Sequence, residues 1–181
     1  MSIRILIIIL VLFISEVKAQ KYTYTMQADI SLLAGRQVLP VPGVQIFNGI
    51  QLDKGLAEAG VTVGVDVYRQ FILLPVSASL KWMPLPQKAL MPYLSLNAGY
   101  GLAWLNRGTE EKDYHGGGVF NPSIGLRIKT ETKTRLNFGV GYKLQSASIV
   151  ETSFDALGKT VSIVTEKYNL GRVSLTFGVG F

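Results

Sequence analysis

Residues Val173 to Phe181 read VSLTFGVGF, and their alternation decides the fold. Val173, Leu175, Phe177, Val179 and Phe181 take every second position, with Ser174, Thr176, Gly178 and Gly180 between them. A β-strand points successive side chains to opposite faces, so one face here is wholly apolar and the other small or polar. A half-buried strand of a soluble sandwich has the same pattern. The stretch runs out on an aromatic residue, which favours a stave of a closed barrel with its apolar face toward lipid and Phe181 in an interfacial aromatic girdle.

The pattern recurs toward the N-terminus. Leu136, Phe138, Val140, Tyr142 and Leu144 alternate with Arg135, Asn137, Gly139, Gly141, Lys143 and Gln145. Phe120, Ile124, Leu126 and Ile128 face Asn121, Ser123, Gly125, Arg127 and Lys129. A strand at about 91–105 sets Leu94, Leu96, Tyr100, Leu102 and Trp104 against Tyr93, Ser95, Asn97 and two glycines. Residues 72–82 and 57–68 alternate as well; Pro75, inside the former, fits only at a bulge or where its missing N–H is harmless. Residues 44–52 are the least regular, with Asn48 on the apolar side and Phe47 on the polar one. From Tyr24 the first strand places Met26, Ala28, Ile30, Leu32 and Ala34 opposite Thr25, Gln27, Asp29 and Ser31.

That makes eight strands and an expected all-β, antiparallel, up-and-down transmembrane barrel. Connections at 53–55, 84–88 and 130–134 are short; those at 35–43, 106–118 and 146–166 are long, with a short exception near residue 70. GRQVLPVPG at 35–43 reads as a loop and NRGTEEKDYHGGG at 106–118 as a mobile one. Between 146 and 170, β-branched residues point to a hairpin that continues beyond the membrane and turns near Leu157-Gly158. Tyr168 and Leu170 are out of phase with Val173, so a bulge is expected at Gly171. Short turns at one end and long loops at the other are the habit of outer-membrane barrels, with both chain ends on the periplasmic side.

Residues 1–19 stand apart as a cleavable signal peptide: Arg4, the apolar run Ile5–Ile14, then Val17-Lys18-Ala19 before Gln20. The apolar run is about ten residues against the roughly 20 that span a bilayer as a helix. Losing Arg4, Glu16 and Lys18 takes the formal charge from +6 to +5 and leaves residues 20–181 as the barrel domain. The basic excess is spread out, without the clustered stripe of a nucleic-acid binder. With no cysteine there is neither a disulfide framework nor a lipid-anchoring thiol.

A soluble eight-stranded barrel would turn its oily face inward. Here the polar face is poor in Lys and Glu and rich in Gly, Ser, Thr and Asn, which suits a crowded lumen. The apolar face carries no charge in any well-defined strand, as expected where Lys or Arg at mid-bilayer costs roughly 2–4 kcal/mol. Tyr22, Tyr24, Trp82, Trp104, Phe120 and Phe181 fall toward strand ends, where an aromatic girdle would lie.

The succession VQIFNGIQL, GVTVGVDVY, LLPVSASLKW, MPYLSLNAGYG, FNPSIGLRIK, LNFGVGYKL and SLTFGVGF resembles the small outer-membrane β-barrel domain proteins of the Bacteroidota, over essentially the whole mature chain. The resemblance implies a porin-like fold in the outer membrane and no activity. The closing strand also resembles the terminal signal read by the barrel-assembly machinery, with Phe177, Val179 and Phe181 in the recognised positions.

Inward phase assigns Asp29, Glu58, Asp66, Lys81, Arg127, Arg135, Lys143 and Arg172, with Lys129, to one lumen. Opposite charges there pair, fix register and plug an interior that eight strands already nearly fill. The single histidine, His115, lies beside three glycines in the 106–118 loop. Asp113, Glu110 or Glu111 could orient it toward Ser146 or Ser148, but an ordinary exposed histidine is the more economical reading. No cofactor is expected, and one histidine with scattered carboxylates makes a transition-metal site improbable. The expected role is a non-enzymatic, monomeric outer-membrane barrel that anchors, stiffens or presents a surface, with outer-membrane lipid and the assembly machinery as partners. The alternatives are a lipid-modifying enzyme at the barrel rim and a narrow conduit for small solutes.

Overall fold

The computed structural model describes residues 23–181 apart from positions 36–37, 53–54, 69–70, 86–87, 104–105, 107, 110–111, 132–133 and 155–159. The expected signal peptide, Tyr22, Trp104, Glu110, Glu111 and the Leu157-Gly158 turn lie outside the described residues. Among the described residues nine strands form: β1 Thr23–Gly35, β2 Val38–Leu52, β3 Ala57–Val67, β4 Ile72–Trp82, β5 Leu90–Leu102, β6 Lys112–His115, β7 Gly117–Lys129, β8 Arg135–Phe154 and β9 Thr160–Gly180. All pairings are antiparallel, and β1 meets β9 from Gln27↔Gly180 to Ala34↔Val173, which closes the sheet. β6 is not a ninth stave. It pairs with β8 at His115↔Ser148, in line with β7, whose pairing with β8 starts at Val119↔Gln145. The barrel therefore has eight staves.

The two faces are the reverse of a soluble barrel. Val63, Leu96 and Phe177 are 42%, 40% and 39% exposed, whereas Glu58 and Asp66 are 0% and 2% exposed. On β8 the outward apolar run Leu136–Leu144 covers about 27 Å of strand at roughly 3.4 Å per residue. Above it the outward positions turn polar at the same height on both strands: Ser146 and Ser148 on β8, Asn169 and Lys167 on β9. β8 and β9, with 20 and 21 residues, continue past the belt as a hairpin, and β6 adds a third strand to it. At the opposite end Gly55 takes the left-handed conformation (φ 91°) that the tight β2–β3 turn demands.

Three local expectations are corrected. Residues 38–43 are strand, not loop. The last β2–β3 pair is Gly43↔Asp66, so above it β2 has a neighbour on the β1 side alone. Pro40 and Pro42, two residues apart, turn their ring nitrogens to one edge, and an edge without a partner loses no ladder bond. The 106–118 segment likewise contains β6 and the start of β7. Finally, β9 has no bulge at Gly171: its register with β8 runs unbroken from Arg135↔Gly180 to Ser153↔Ser162, and the shift comes at Ser153/Phe154. Tyr168 and Leu170 keep the inward phase of Arg172 and Ser174, and they are apolar there because they face the apolar cap. Pro75 matches its expected requirement, since β3–β4 pairing skips from Val63↔Val76 to Asp66↔Leu73 around it.

The cap departs from the expected polar lumen. Leu33, Val41, Tyr68, Phe71, Leu73, Ala103, Ala147 and Ile149 form a buried cluster at the long-loop end, with Tyr114, Tyr168 and Leu170 against it. Phe71 packs on Tyr68 and Tyr168, ring centroids 5.3 and 5.4 Å apart.

Candidate functional site: a layered lumen

Below the cap the interior is polar, and it divides into layers. Nearest the short turns, Glu58 on β3 receives two parallel bonds from Arg127 on β7, Nη1 to Oε1 at 2.5 Å and Nη2 to Oε2 at 2.9 Å. Such a fork matches carboxylate geometry and is stronger than two independent bonds. Arg127 Nε donates to Asn137 Oδ1 at 2.7 Å, which uses the guanidinium's remaining edge. Lys81 stands 3.6 Å from Glu58, donates to Gln27 at 2.5 Å, and lies between the rings of Phe47 and Tyr93, 5.4 and 5.1 Å from their centroids. Arg135 reaches Glu58 at 3.4 Å; with the Gln51 amide turned to satisfy both groups, Gln51 accepts from Arg135 Nη2 at 2.9 Å. Three cations thus surround one buried carboxylate.

In the middle layer, Asp29 accepts from Gln27 at 2.5 Å and Gln45 at 3.1 Å. Hydroxyls pair across strands, Thr62 with Ser79 and Ser95 with Ser123, each at 2.6 Å. The cavities among them are about 30 and 10 Å³. A water needs on the order of 10–15 Å³, so these two cavities have room for one or two waters.

In the upper layer Lys143 bonds Asp66, Tyr68 donates to Gln145 at 2.9 Å, and Arg172 lies over the Tyr68 ring at 5.2 Å. Glycines make room for these bulky groups. At Gly139 a Cβ would come 2.7 Å from the Tyr93 hydroxyl and 2.6 Å from Thr176 Oγ1.

The eight charged positions read from inward phase therefore do not form a single network. Glu58, Lys81, Arg127 and Arg135 come together; Asp66 and Lys143 pair a layer away; Asp29 is held by glutamines, and Arg172 by an aromatic face. Lys129 is exposed at the short-turn rim. Gln27, Gln45, Gln51 and Asn137 hold the clusters together. A reading by charge alone passes over these amides, although each sits at an inward position of its strand.

His115 is exposed, 3.3 Å from Asp113, and its cross-strand partner is Ser148. Among the described residues no hydrogen bond joins His115 to Ser148 or Ser146; the Ser146 hydroxyl donates to Asn169. Higher on the hairpin, the Tyr168 phenol donates to Glu166, which pushes its pKa up to about 12. At the closing seam Phe177 packs against Phe138, 5.0 Å between centroids, and Val179 stands between Ala28 and Leu136. The Phe181 N–H donates to the Met26 carbonyl at 2.8 Å, extending the β1–β9 ladder to that residue.

The sequence matches no protein-family model and no curated protein. The fold is similar to that of Neisserial surface protein A, with a TM-score of 0.60 and 15% identity over 89% of this chain and 98% of that one. Outer membrane protein AlkL, solved in lipid bilayers, gives 0.55 and 16% over 91% and 92%. The outer membrane protein OprG from Pseudomonas aeruginosa gives 0.55 and 11% over 87% and 93%. At these identities the likeness bears on the fold: a closed, eight-stranded antiparallel barrel.

Proposed function

We propose that this protein is an integral outer-membrane barrel that holds a surface in place rather than passing solutes. The observation that supports this most is the combination of an outward apolar belt, interrupted on β2 at Asn48, with an interior closed at two levels, by the Glu58 cluster and by the apolar cap. Among the described residues no helix is long and apolar enough to cross a membrane, so strands would do the crossing. The belt height fits, since about 27 Å along a strand tilted by roughly 40° covers some 20 Å of a hydrocarbon band about 25 Å tall. The short turns then face the periplasm, and the β6–β8–β9 sheet stands outside, presenting Lys167, Asn169, His115 and Asp113. One protein of similar fold, Neisserial surface protein A, is by name a surface protein. On this reading the role is non-enzymatic, and Asp113 and His115 belong to the exposed face of the β6–β8–β9 sheet.

Export by residues 1–19 with cleavage after Ala19, insertion guided by Phe177, Val179 and Phe181, monomeric state, and membership of the Bacteroidota barrel family belong to the same proposal and rest on the sequence motifs. The test is expression in a Gram-negative host, followed by fractionation and planar-bilayer recording. Heat-modifiable migration from the outer-membrane fraction, a mature N-terminus at Gln20 and no conductance steps are expected. Discrete steps that change with Lys143 or Arg127 substitutions would instead establish a conduit. Replacing the β6 and β8–β9 extensions with short turns should leave the barrel folded and abolish surface binding.

A further inference from the structure

We infer that the outer wall carries a site for one diacyl phospholipid of the leaflet on the short-turn side, its two acyl chains lying in two grooves that flank a single ridge. The inference rests on the reading of the apolar belt as lipid-facing. The ridge is the row Trp82, Leu94, Ile124, Val140 and Leu175, outward residues that are direct cross-strand partners from β4 to β9. Below it a groove of about 710 Å³ reaches the next outward row, Pro92, Leu126 and Phe138. Its floor is Tyr93, Gly125, Gly139 and Thr176. Above the ridge a second groove, of about 410 Å³, extends to Leu80, Leu96 and Pro122 over Ser95 and Ser123. Both floors are inward-phase positions, so they turn only backbone outward. Walls two residues apart stand roughly 6.8 Å from one another, the width of a groove for one polymethylene chain.

The register sets where the grooves lead. Following direct partners once around the wall from Leu90 on β5 returns to β5 at Tyr100, ten residues higher. Ten residues at roughly 3.4 Å against eight strand spacings of roughly 4.8 Å tilt the strands by about 40°. Cross-strand rows therefore climb the wall, and the ridge rises from Trp82, the last residue of β4 at the short-turn end, to Leu175. Its four strand spacings, about 19 Å, lift it by about 12 Å, half of a hydrocarbon band about 25 Å tall. That is the depth of a single leaflet. Trp82 stands at the foot of both grooves and is exposed. Its indole offers an apolar ring and one N–H at the level where acyl esters meet head groups. A second copy of the chain is the poorer occupant. Two barrels upright in one bilayer are related by a two-fold along its normal, which sets rows of equal slant face to face, so the ridges cross and do not enter the grooves.

The test uses the full-length barrel extracted from host membranes in a mild detergent. Native mass spectrometry should show one diacyl phospholipid per barrel, displaced by added diacyl phospholipid and not by its single-chain lyso form. Ile124→Trp and Val140→Trp, each on the ridge between the grooves, should lose the adduct. Val63→Trp, outward on β3 and away from both grooves, should keep it. Heat-modifiable migration checks that each variant folds; should Ile124→Trp fail, Val140→Trp decides, and the lyso competition on the parent decides if neither folds. A folded parent in the outer-membrane fraction that carries no phospholipid, equal retention in all three variants, or a dimer mass that the ridge variants abolish would overturn the assignment. A parent absent from the membrane fraction would overturn the belt reading and this site with it.

Discussion

Removing the negative charge of Glu58 should be among the most damaging single changes in this barrel. The carboxylate is completely buried and faces Arg127, Lys81 and Arg135 at 2.5, 3.6 and 3.4 Å. Glu58→Gln keeps the shape but removes the one carboxylate that Arg127, Lys81 and Arg135 share. Breaking a buried pair from one side costs roughly 3–5 kcal/mol, a factor of about 150 to 5,000 in the unfolding equilibrium. Arg127→Met should cost less, about 1.5–3 kcal/mol, because Glu58 then keeps Lys81 and Arg135. In the double variant one cation leaves with the anion, so the combined loss should fall short of the sum by about 0.5–3 kcal/mol. Urea unfolding in lipid vesicles, followed by tryptophan fluorescence, measures all three. A Glu58→Gln loss under about 1 kcal/mol, or strict additivity, would refute the claim that the cluster is one electrostatic unit.

Gly139→Ala should destabilise by about 1–3 kcal/mol through contact with Tyr93 and Thr176, and Tyr93→Phe should recover part of that loss. Arginine at Val63 or Leu96 should cost roughly 2–4 kcal/mol in bilayers, whereas Asn169→Arg, above the belt, should cost under about 1 kcal/mol by the same assay. The folded-state pKa of Tyr168 is raised, so its stabilising bond to Glu166 is fully present below the unfolded phenol value and fades as pH rises toward about 12. On ultraviolet titration, Glu166→Gln should show one phenol more than the parent ionising in the ordinary range. His115→Ala should leave the lipid composition of the host membrane unchanged; altered acylation in the parent alone would reopen the rim-enzyme alternative.

The barrel is legible in the sequence because period-2 alternation is a backbone property, and lipid outside enforces it strictly. Even irregular positions obey it: Phe47 turns inward to stack on Lys81, and Asn48 faces out. The cap is not legible, because a polar interior is the rule within the membrane and does not extend past it. Leu73, Val41, Ala147, Ile149, Tyr168 and Leu170 all occupy inward phase, and the apolar character of Tyr168 and Leu170 there marks the cap rather than a bulge. Above the belt the interior follows ordinary core packing, which buries apolar groups. Phase alone locates the charged residues. Their partition into layers escapes it, since that depends on the stagger between strands, as when Asp66 meets Lys143 from another part of the wall.

The central claim is that the oily side chains look outward into hydrocarbon. The chain has no native cysteine, so single cysteines at Val63, Leu96, Phe177 and, facing inward, Ser174 can carry spin labels without background. In reconstituted vesicles the first three labels should collide strongly with dissolved oxygen and weakly with a water-soluble nickel chelate, while the label at Ser174 meets little of either. Labels at Val63 and Leu96 shielded from oxygen, with Asn97 and Asp66 positions open to the chelate, would contradict the account.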